Sequence, residues 1–333
     1  MLPLILSYDS IMLRKYYEGT ARIINEATEI GRLLGVIDAA NLQRPRTELR
    51  RRNRIATIRS SLAIEGNTLT EEQITDLIAN KRVVGPAREI LEVQNAIAVY
   101  DRLEQYDAFS EASYLAAHAT LMKGLVDDAG RYRTRGVGIF KGEVVAHMAP
   151  PAWNVHNLMK ELFEYLRDDE DNLIIKSCVF HYEMEFIHPF MDGNGRMGRL
   201  WQTVILARHN PVFTYLPIER EIKNSQEDYY RVLALADRSG MSTSFVEYLL
   251  EKIRISLSQL IDAQRTNYTD TERLTYFTET TQLHHFTRKD YLAVFKHIST
   301  ATASRDLRKG VSLGLFEQQG TGRLTSYRMK EAP

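Results

Sequence analysis

The sequence predicts a mainly α-helical chain, interrupted by one β-hairpin and followed by a separate module of two helices and a second hairpin. Three observations carry this. Apolar residues recur three and four apart from about Ser10 to Leu249, as in Leu158, Leu162, Leu166 and in Leu200, Val204, the period of a helix that buries one face. The strand-like exception runs from Arg135 to Val145, where a short hydrophobic run, a Lys-Gly turn and a β-branched run follow one another. After a helix ending near Arg265, the period is lost over the polar stretch Thr266 to Arg273, which reads as a linker.

In the N-terminal region, Ile55, Ile58 and Leu62 form an apolar stripe, and Ser61 and Glu65 lie four apart on an adjacent line. Gly66-Asn67 then supplies a helix C-cap, and Thr70 with Gln73 forms a capping box for the next helix. Glu65 therefore sits at the last turn of a helix, where the dipole disfavours a carboxylate and a cationic partner is welcome. The arginine run from Arg44 to Arg54 reads as a solvated helix face. Pro150-Pro151 closes the hairpin, a helix follows from near Trp153 to Arg167, and Asp168 to Asp171 is a solvated acidic loop.

The final module begins near Leu274. A helix is expected around Arg288 to His297 and another from about Ala301 to Gly310, followed by Leu315-Phe316-Glu317, a Gly320-Thr321-Gly322 turn and Leu324 to Met329. Two helices followed by a hairpin is the winged helix-turn-helix order. The expected units are 1–109, a helical region; 110–250, a catalytic core; 251–273, a helix end and linker; and 274–333, the winged helix.

Composition narrows the class. The 333 residues carry 43 Lys+Arg against 43 Asp+Glu, so no global field announces nucleic acid or an acidic membrane. At 44% hydrophobic and 26% charged residues the chain has the make-up of an ordinary globular protein. The start, Met1 to Leu6, lacks a basic region and a long enough apolar run for a signal peptide, and no later segment has transmembrane length. A cytoplasmic protein without membrane contact is expected. The single cysteine, Cys178, falls in an apolar helical pattern and reads as a small buried hydrophobe.

The chemistry concentrates in Ile187 to Arg199. His188 stands before Pro189, and a residue before proline is pushed out of the helical region, so a helix should stop with an imidazole at its mouth, able to accept a proton near neutral pH. Gly193 and Gly195 allow the backbone to approach an anion closely, and the helix that follows points free N–H groups at the loop. Asp192 offers a hard carboxylate for Mg²⁺. Arg196 and Arg199, three apart on the same helix, aim two guanidinium forks to one side. A rival reading takes His181, Glu185 and His188, spaced four and three, as metal ligands of a hydrolase, but it leaves Gly193 to Arg199 unused. No Walker-type Gly-x-x-x-x-Gly-Lys-Ser/Thr loop competes.

The stretch His188-Pro189-Phe190-Met191-Asp192-Gly193-Asn194-Gly195-Arg196-Met197-Gly198-Arg199 resembles the signature of the Fic (filamentation induced by cAMP) family of AMP transferases at every fixed position. The resemblance implies that His188 deprotonates a target hydroxyl, which attacks the α-phosphate of ATP. Asp192 would hold Mg²⁺, Asn194 and the amides of Gly193 and Gly195 would grip the α-phosphate, and Arg196 and Arg199 the β- and γ-phosphates. The hairpin, with Ile139, Phe140, Lys141 and Gly142, would be the target-docking flap, preceded by Gly130-Arg131-Tyr132-Arg133. Asn224, Tyr229 and Tyr230 lie where the family places residues around adenine and ribose. Ser61 to Asn67 matches the family's inhibition motif, with Glu65 expected on Arg199. An autoinhibited protein adenylyltransferase using ATP and Mg²⁺ follows, acting on Ser, Thr or Tyr hydroxyls of proteins, including its own. Two alternatives stay open: a nucleotide-sensing regulator that binds DNA through the winged helix, and a hydrolase that uses Glu65 to remove AMP. A homodimer is a further expected partner state.

Overall fold

The structure, a computed structural model, describes residues 16–39, 45, 47–141, 144–266, 269–281, 283–295, 298–320, 322 and 325–330. It is mainly α, as the periodicity predicts. Helices α1 (Ala21–Ala39), α2 (Thr47–Ile64), α3 (Glu71–Ile78), α4 (Ala87–Tyr100) and α5 (Glu111–Leu121) precede the hairpin β1 (Gly138–Lys141) and β2 (Val144–Met148). Next come α6 (Val155–Asp168), α7 (Leu173–Ile187), α8 (Asn194–His209), α9 (Ile218–Asn224), α10 (Gln226–Ser239) and α11 (Thr243–Thr266). α7 is buried on nearly every side and packs on α8 and α11, which sets the loop between α7 and α8 at the centre of the bundle. One hydrophobic cluster joins Ile23 of α1 to Ile261 of α11. α1 is clamped to α11 by Arg22 on Glu251 at 2.7 Å and by Arg254 on Glu26 at 2.6 Å.

The end of α2 forms as its sequence dictates. Gly66 takes φ +93°, and Gly66 and Asn67 donate backbone N–H groups to Ala63 and Leu62 at 3.3 and 3.1 Å, a Schellman stop that makes Glu65 the C-cap residue. Side chains satisfy the remaining late carbonyls, Ile64 by Gln226 at 3.1 Å and Ser61 by Arg199 at 3.0 Å, and Lys223 adds a second bond to Ala63 at 2.9 Å. A helix end with every carbonyl engaged is a rigid mount for the side chain it carries. Thr70 and Gln73 form the expected capping box of α3.

β1 and β2 pair antiparallel from Gly138↔Met148 to Lys141↔Val144, with a bulge between Ile139 and Phe140. Gly142 lies outside the described residues.

The C-terminal unit has its own core, built on Leu274, Phe277, Phe286, Tyr291 and Phe316. The linker is shorter than expected, because α11 reaches Thr266 and α12 (Asp270–Thr280) starts at a Thr269–Glu272 capping box inside the stretch read as irregular. A short strand β3 (His285–Phe286), α13 (Arg288–Val294), α14 (Thr300–Ser312), β4 (Phe316–Gln319) and β5 (Ser326–Met329) follow, and the sheet order is β3-β5-β4. Of the basic residues in this unit, Lys309 pairs with Asp270 at 2.7 Å and Arg328 with Glu317 at 2.6 Å. Arg305 and Arg308 are exposed on α14, and Arg323 lies outside the described residues.

Arg273 of α12 meets Asp306 of α14 at 2.6 and 3.0 Å, both side chains buried, with the Tyr291 hydroxyl on the same carboxylate at 3.2 Å. Removing one partner strands a buried charge. Arg273→Ala should therefore destabilise this unit by about 3–5 kcal/mol, read as an early urea transition; an unshifted melt would contradict the pair's role.

Candidate active site

α7 stops before Pro189, as predicted, but His188 does not take the extended backbone that residues before proline prefer. It sits at φ 51°, ψ 61°, a left-handed conformation uncommon for a residue with a side chain. Arg133 holds this turn. Its guanidinium, 2% exposed, donates to the carbonyls of His188 at 2.8 Å and Ile187 at 3.2 Å, and also to Pro150 and Arg135 at the two roots of the hairpin. Its backbone N–H reaches the Pro189 carbonyl at 2.8 Å. One cation thus caps the C-terminus of α7, where the dipole favours it, and ties the hairpin to the loop that carries His188.

The loop is braced from inside. The Asn194 side chain, 2% exposed, bridges both the N–H and the carbonyl of Phe190 at 2.9 Å each, so its amide closes the loop. His118 of α5 stacks on Phe190 with centroids 3.5 Å apart. Its Nδ1 accepts from the Gly130 N–H at 2.8 Å, which leaves the proton on Nε2 to donate to the Asp192 carbonyl at 3.0 Å. Burial pushes this imidazole down to about 4, so it stays neutral and keeps that tautomer. Gly193 takes φ +88°, and a Cβ there would lie 2.6 Å from the Met122 sulfur, so the turn into α8 needs glycine.

Asp192 is half-exposed and surrounded by donors. Oδ1 accepts from the Gly193 N–H at 2.6 Å and from Arg196 Nη2 at 2.9 Å, and Oδ2 accepts from Arg88 of α4 at 3.2 Å. A carboxylate with one solvent-facing side suits Mg²⁺, which binds through one or two carboxylates and takes its remaining oxygens from phosphates and water. Among the described residues no three His, Cys, Asp or Glu side chains come together as a cage. Arg196 also lies 3.4 Å from Glu92 of α4.

Arg199 is the most enclosed charge of the site. Its side chain is 1% exposed and donates to Glu65 Oε1 at 2.6 Å, to the Ser61 hydroxyl at 3.2 Å and to the Ser61 carbonyl at 3.0 Å. The sequence-predicted Ser61, Glu65 and Arg199 are therefore in direct contact. The Glu65 carboxylate also covers Gly195: a Cβ at that glycine would meet Oε1 at 2.5 Å. Two further carboxylates feel Arg199. Burial pushes Glu185 of α7 and Glu219 of α9 each up to about 7, while Arg199 pulls both back down.

The rival metal reading finds no support in the geometry. His181 is fully buried, bonded to Gln202 at 2.9 Å and to the Tyr229 hydroxyl at 3.2 Å, and burial lowers it to about 3. Tyr229 itself is 2% exposed and faces His181 and Glu185, whereas Tyr230 is 45% exposed. Cys178 is buried, and burial pushes its thiol up to about 12. Four residues of the site escaped sequence reasoning or were quoted without a role: Arg88, Glu92, His118 and Arg133. No local pattern signals their contacts with the loop, because each reaches it across 55 to 104 residues of sequence.

The linkage at Glu219 yields a test. Its Oε1 accepts from Tyr100 at 3.1 Å, so glutamine can keep that bond. With a folded value near 7 against an ordinary 4.5, the native state binds more protons between those pH values, and the wild-type chain loses stability as pH rises through that window. Glu219→Gln removes the loss. The variant's stability gain in denaturant melts should grow from pH 4.5 to 7 by roughly 2–3 kcal/mol, and a gain independent of pH would contradict the assignment.

Comparison with known proteins places this geometry. Residues 108–206 match the Fic/DOC family model, and this span runs from just before α5 to the last turns of α8. Protein adenylyltransferase fic-1 of Caenorhabditis elegans is 28% identical over 222 residues, which are 62% of this chain and 41% of that protein. A probable protein adenylyltransferase of Aquifex aeolicus is 36% identical over 104 residues, 31% of each chain. The chain thus spans less than half the length of these relatives. Among solved structures, a Fic family protein from Desulfovibrio desulfuricans G20 shares 42% identity and a TM-score of 0.73, over 96% of this chain and 99% of that one. C. elegans Fic-1, at 24% identity and TM-score 0.60, shares the fold. End-to-end agreement with that bacterial protein, together with the loop from His188 to Arg199, establishes that this chain belongs to the Fic family.

Proposed function

We propose that the chain is an autoinhibited protein adenylyltransferase, moving AMP from MgATP to a Ser, Thr or Tyr hydroxyl of a protein, itself included. Support comes from the adenylyltransferase relatives, and above all from one observation: Glu65 on Arg199 at 2.6 Å, beside the loop from His188 to Arg199 that we read as a triphosphate site.

His188, at the mouth of α7, takes the proton of the target hydroxyl. The hydroxyl oxygen bonds to the α-phosphorus of ATP as the bond to the bridging α–β oxygen breaks, and pyrophosphate leaves. Arg196 and Arg199 hold its charge, and the amides at the start of α8 face the α-phosphate. Asp192 would hold Mg²⁺, which when bound would supply charge neutralisation along the phosphate chain. The strands β1 and β2 would align an extended target segment by backbone hydrogen bonds. Glu65 opposes all this by occupying the fork that the γ-phosphate needs.

A second reading, hydrolytic removal of AMP from targets, has a specific observation behind it. Glu65 engages Arg199 through Oε1 while its side chain is 35% exposed, so the carboxylate borders solvent where it can orient a water. Labelled targets that lose AMP faster with Glu65 intact than with Glu65→Gly would favour that direction.

The transferase reading is tested with α-³²P-ATP. Glu65→Gly releases a charge-assisted bond worth about 1.5–3 kcal/mol, so self-labelling should rise about tenfold or more. His188→Ala should lower it by about 10²–10⁴. Equal labelling by the two variants would overturn the assignment of base and brake.

A further inference from the structure

The contacts of α4 with the loop have no part in the reaction described so far. Both oxygens of Asp192 are engaged by protein donors: Oδ1 by Arg196 at 2.9 Å and the Gly193 N–H at 2.6 Å, Oδ2 by Arg88 at 3.2 Å. The two arginines differ in freedom. Arg196 is 6% exposed and fixed in α8, whereas Arg88, 59% exposed on the first turn of α4, can swing into solvent without disturbing the core. Glu92, one turn further along α4, faces both of them, with Oε1 at 3.7 Å from Arg88 and 3.4 Å from Arg196. Its other oxygen accepts from Asn67 at 2.9 Å. Asn67 and Thr68, directly after Glu65 and its cap, are further fastened to Glu89. Arg88, Arg196, Glu92 and Asp192 thus close a ring with no net charge, and Asp192 within it is the carboxylate that a divalent cation needs.

We propose that Arg88 is a tethered competitor for the divalent cation at Asp192, held in place by Glu92, so that α4 locks the metal side of the site separately from Glu65. This rests on the reading of the loop as a triphosphate site. A cation arriving at Asp192 meets a carboxylate already neutralised, and it binds by expelling the one donor that is free to leave. Glu92 keeps Arg88 close when it is displaced and recaptures it when the metal departs. The positive end of α4 is not involved in this: the competing charge is a side chain at contact distance, which a single substitution removes.

The experiment measures Mn²⁺ binding to the full chain without nucleotide, by electron paramagnetic resonance of the free ion. Asp192→Asn should abolish the saturable site, which locates it. Arg88→Gln should tighten Mn²⁺ binding about threefold to fivefold, the range an exposed ion pair commands. Arg82→Gln, an exposed arginine with no contact to the loop among the described residues, should leave the affinity unchanged. In a Glu65→Gly background, Arg88→Gln should lower the Mg²⁺ concentration for half-maximal labelling and leave the rate at saturating Mg²⁺ as it was. Equal Mn²⁺ affinity in Arg88→Gln and the wild-type chain would overturn the proposal, as would an equal gain from Arg82→Gln or undiminished binding in Asp192→Asn. An enzyme that never labels, yet binds Mn²⁺ more tightly after Arg88→Gln, would refute the transferase reading and leave the role of Arg88 standing.

Discussion

A guanidinium with 1% exposure needs partners from within the protein, and the site is organised around that requirement at Arg199. Solvent cannot compensate this charge, and an uncompensated buried charge costs several kcal/mol. In the structure the compensating anion is Glu65, presented by a helix end whose last carbonyls are all bonded. In the proposed reaction it is the γ-phosphate. In that proposal Glu65 and the γ-phosphate compete for one fork, which sets inhibition against catalysis. Burial pushes Glu185 and Glu219 up to about 7 and Arg199 pulls both back down, so the arginine's charge is felt beyond Glu65.

A switch of this kind needs a loop that does not move when its occupant changes. Asn194 ties the loop to itself, His118 props it from α5, and Arg133 fastens it to the hairpin roots. These three side chains are buried, and their bonds are to backbone atoms, so the positions of the amides at the start of α8 are set before any ligand arrives. That is the preorganisation electrostatic catalysis calls for. The strained backbone at His188 fits the same pattern: a sparsely populated conformation costs about 1–3 kcal/mol and is held by Arg133 where the proposed proton acceptor sits.

Much of this was legible in the sequence because it is local. The period of three and four residues marks α6 and α8, Gly66 and Asn67 mark the end of α2, and Thr70 with Gln73 marks the start of α3. The pairing of Glu65 with Arg199 came from resemblance to a family, since nothing local links residues 134 apart. α12 was missed because its polar first turn, Asp270 to Arg273, hides the period, and β3 because two residues carry none. The left-handed turn at His188 was missed because the preference of residues before proline is a local rule, and Arg133, a tertiary contact, overrides it. Arg88 and Glu92 belong to the same class: their meaning exists after the fold brings α4 against the loop.

The most direct measurement is a pair of crystal structures with ATP and Mg²⁺, one of the wild-type chain and one of Glu65→Gly. The account predicts the γ-phosphate within hydrogen-bond distance of Arg199 in the variant, with the α-phosphate turned toward His188, and a displaced triphosphate in the wild-type chain with Glu65 still on Arg199. The same triphosphate pose in both, with the ion pair intact, would contradict it.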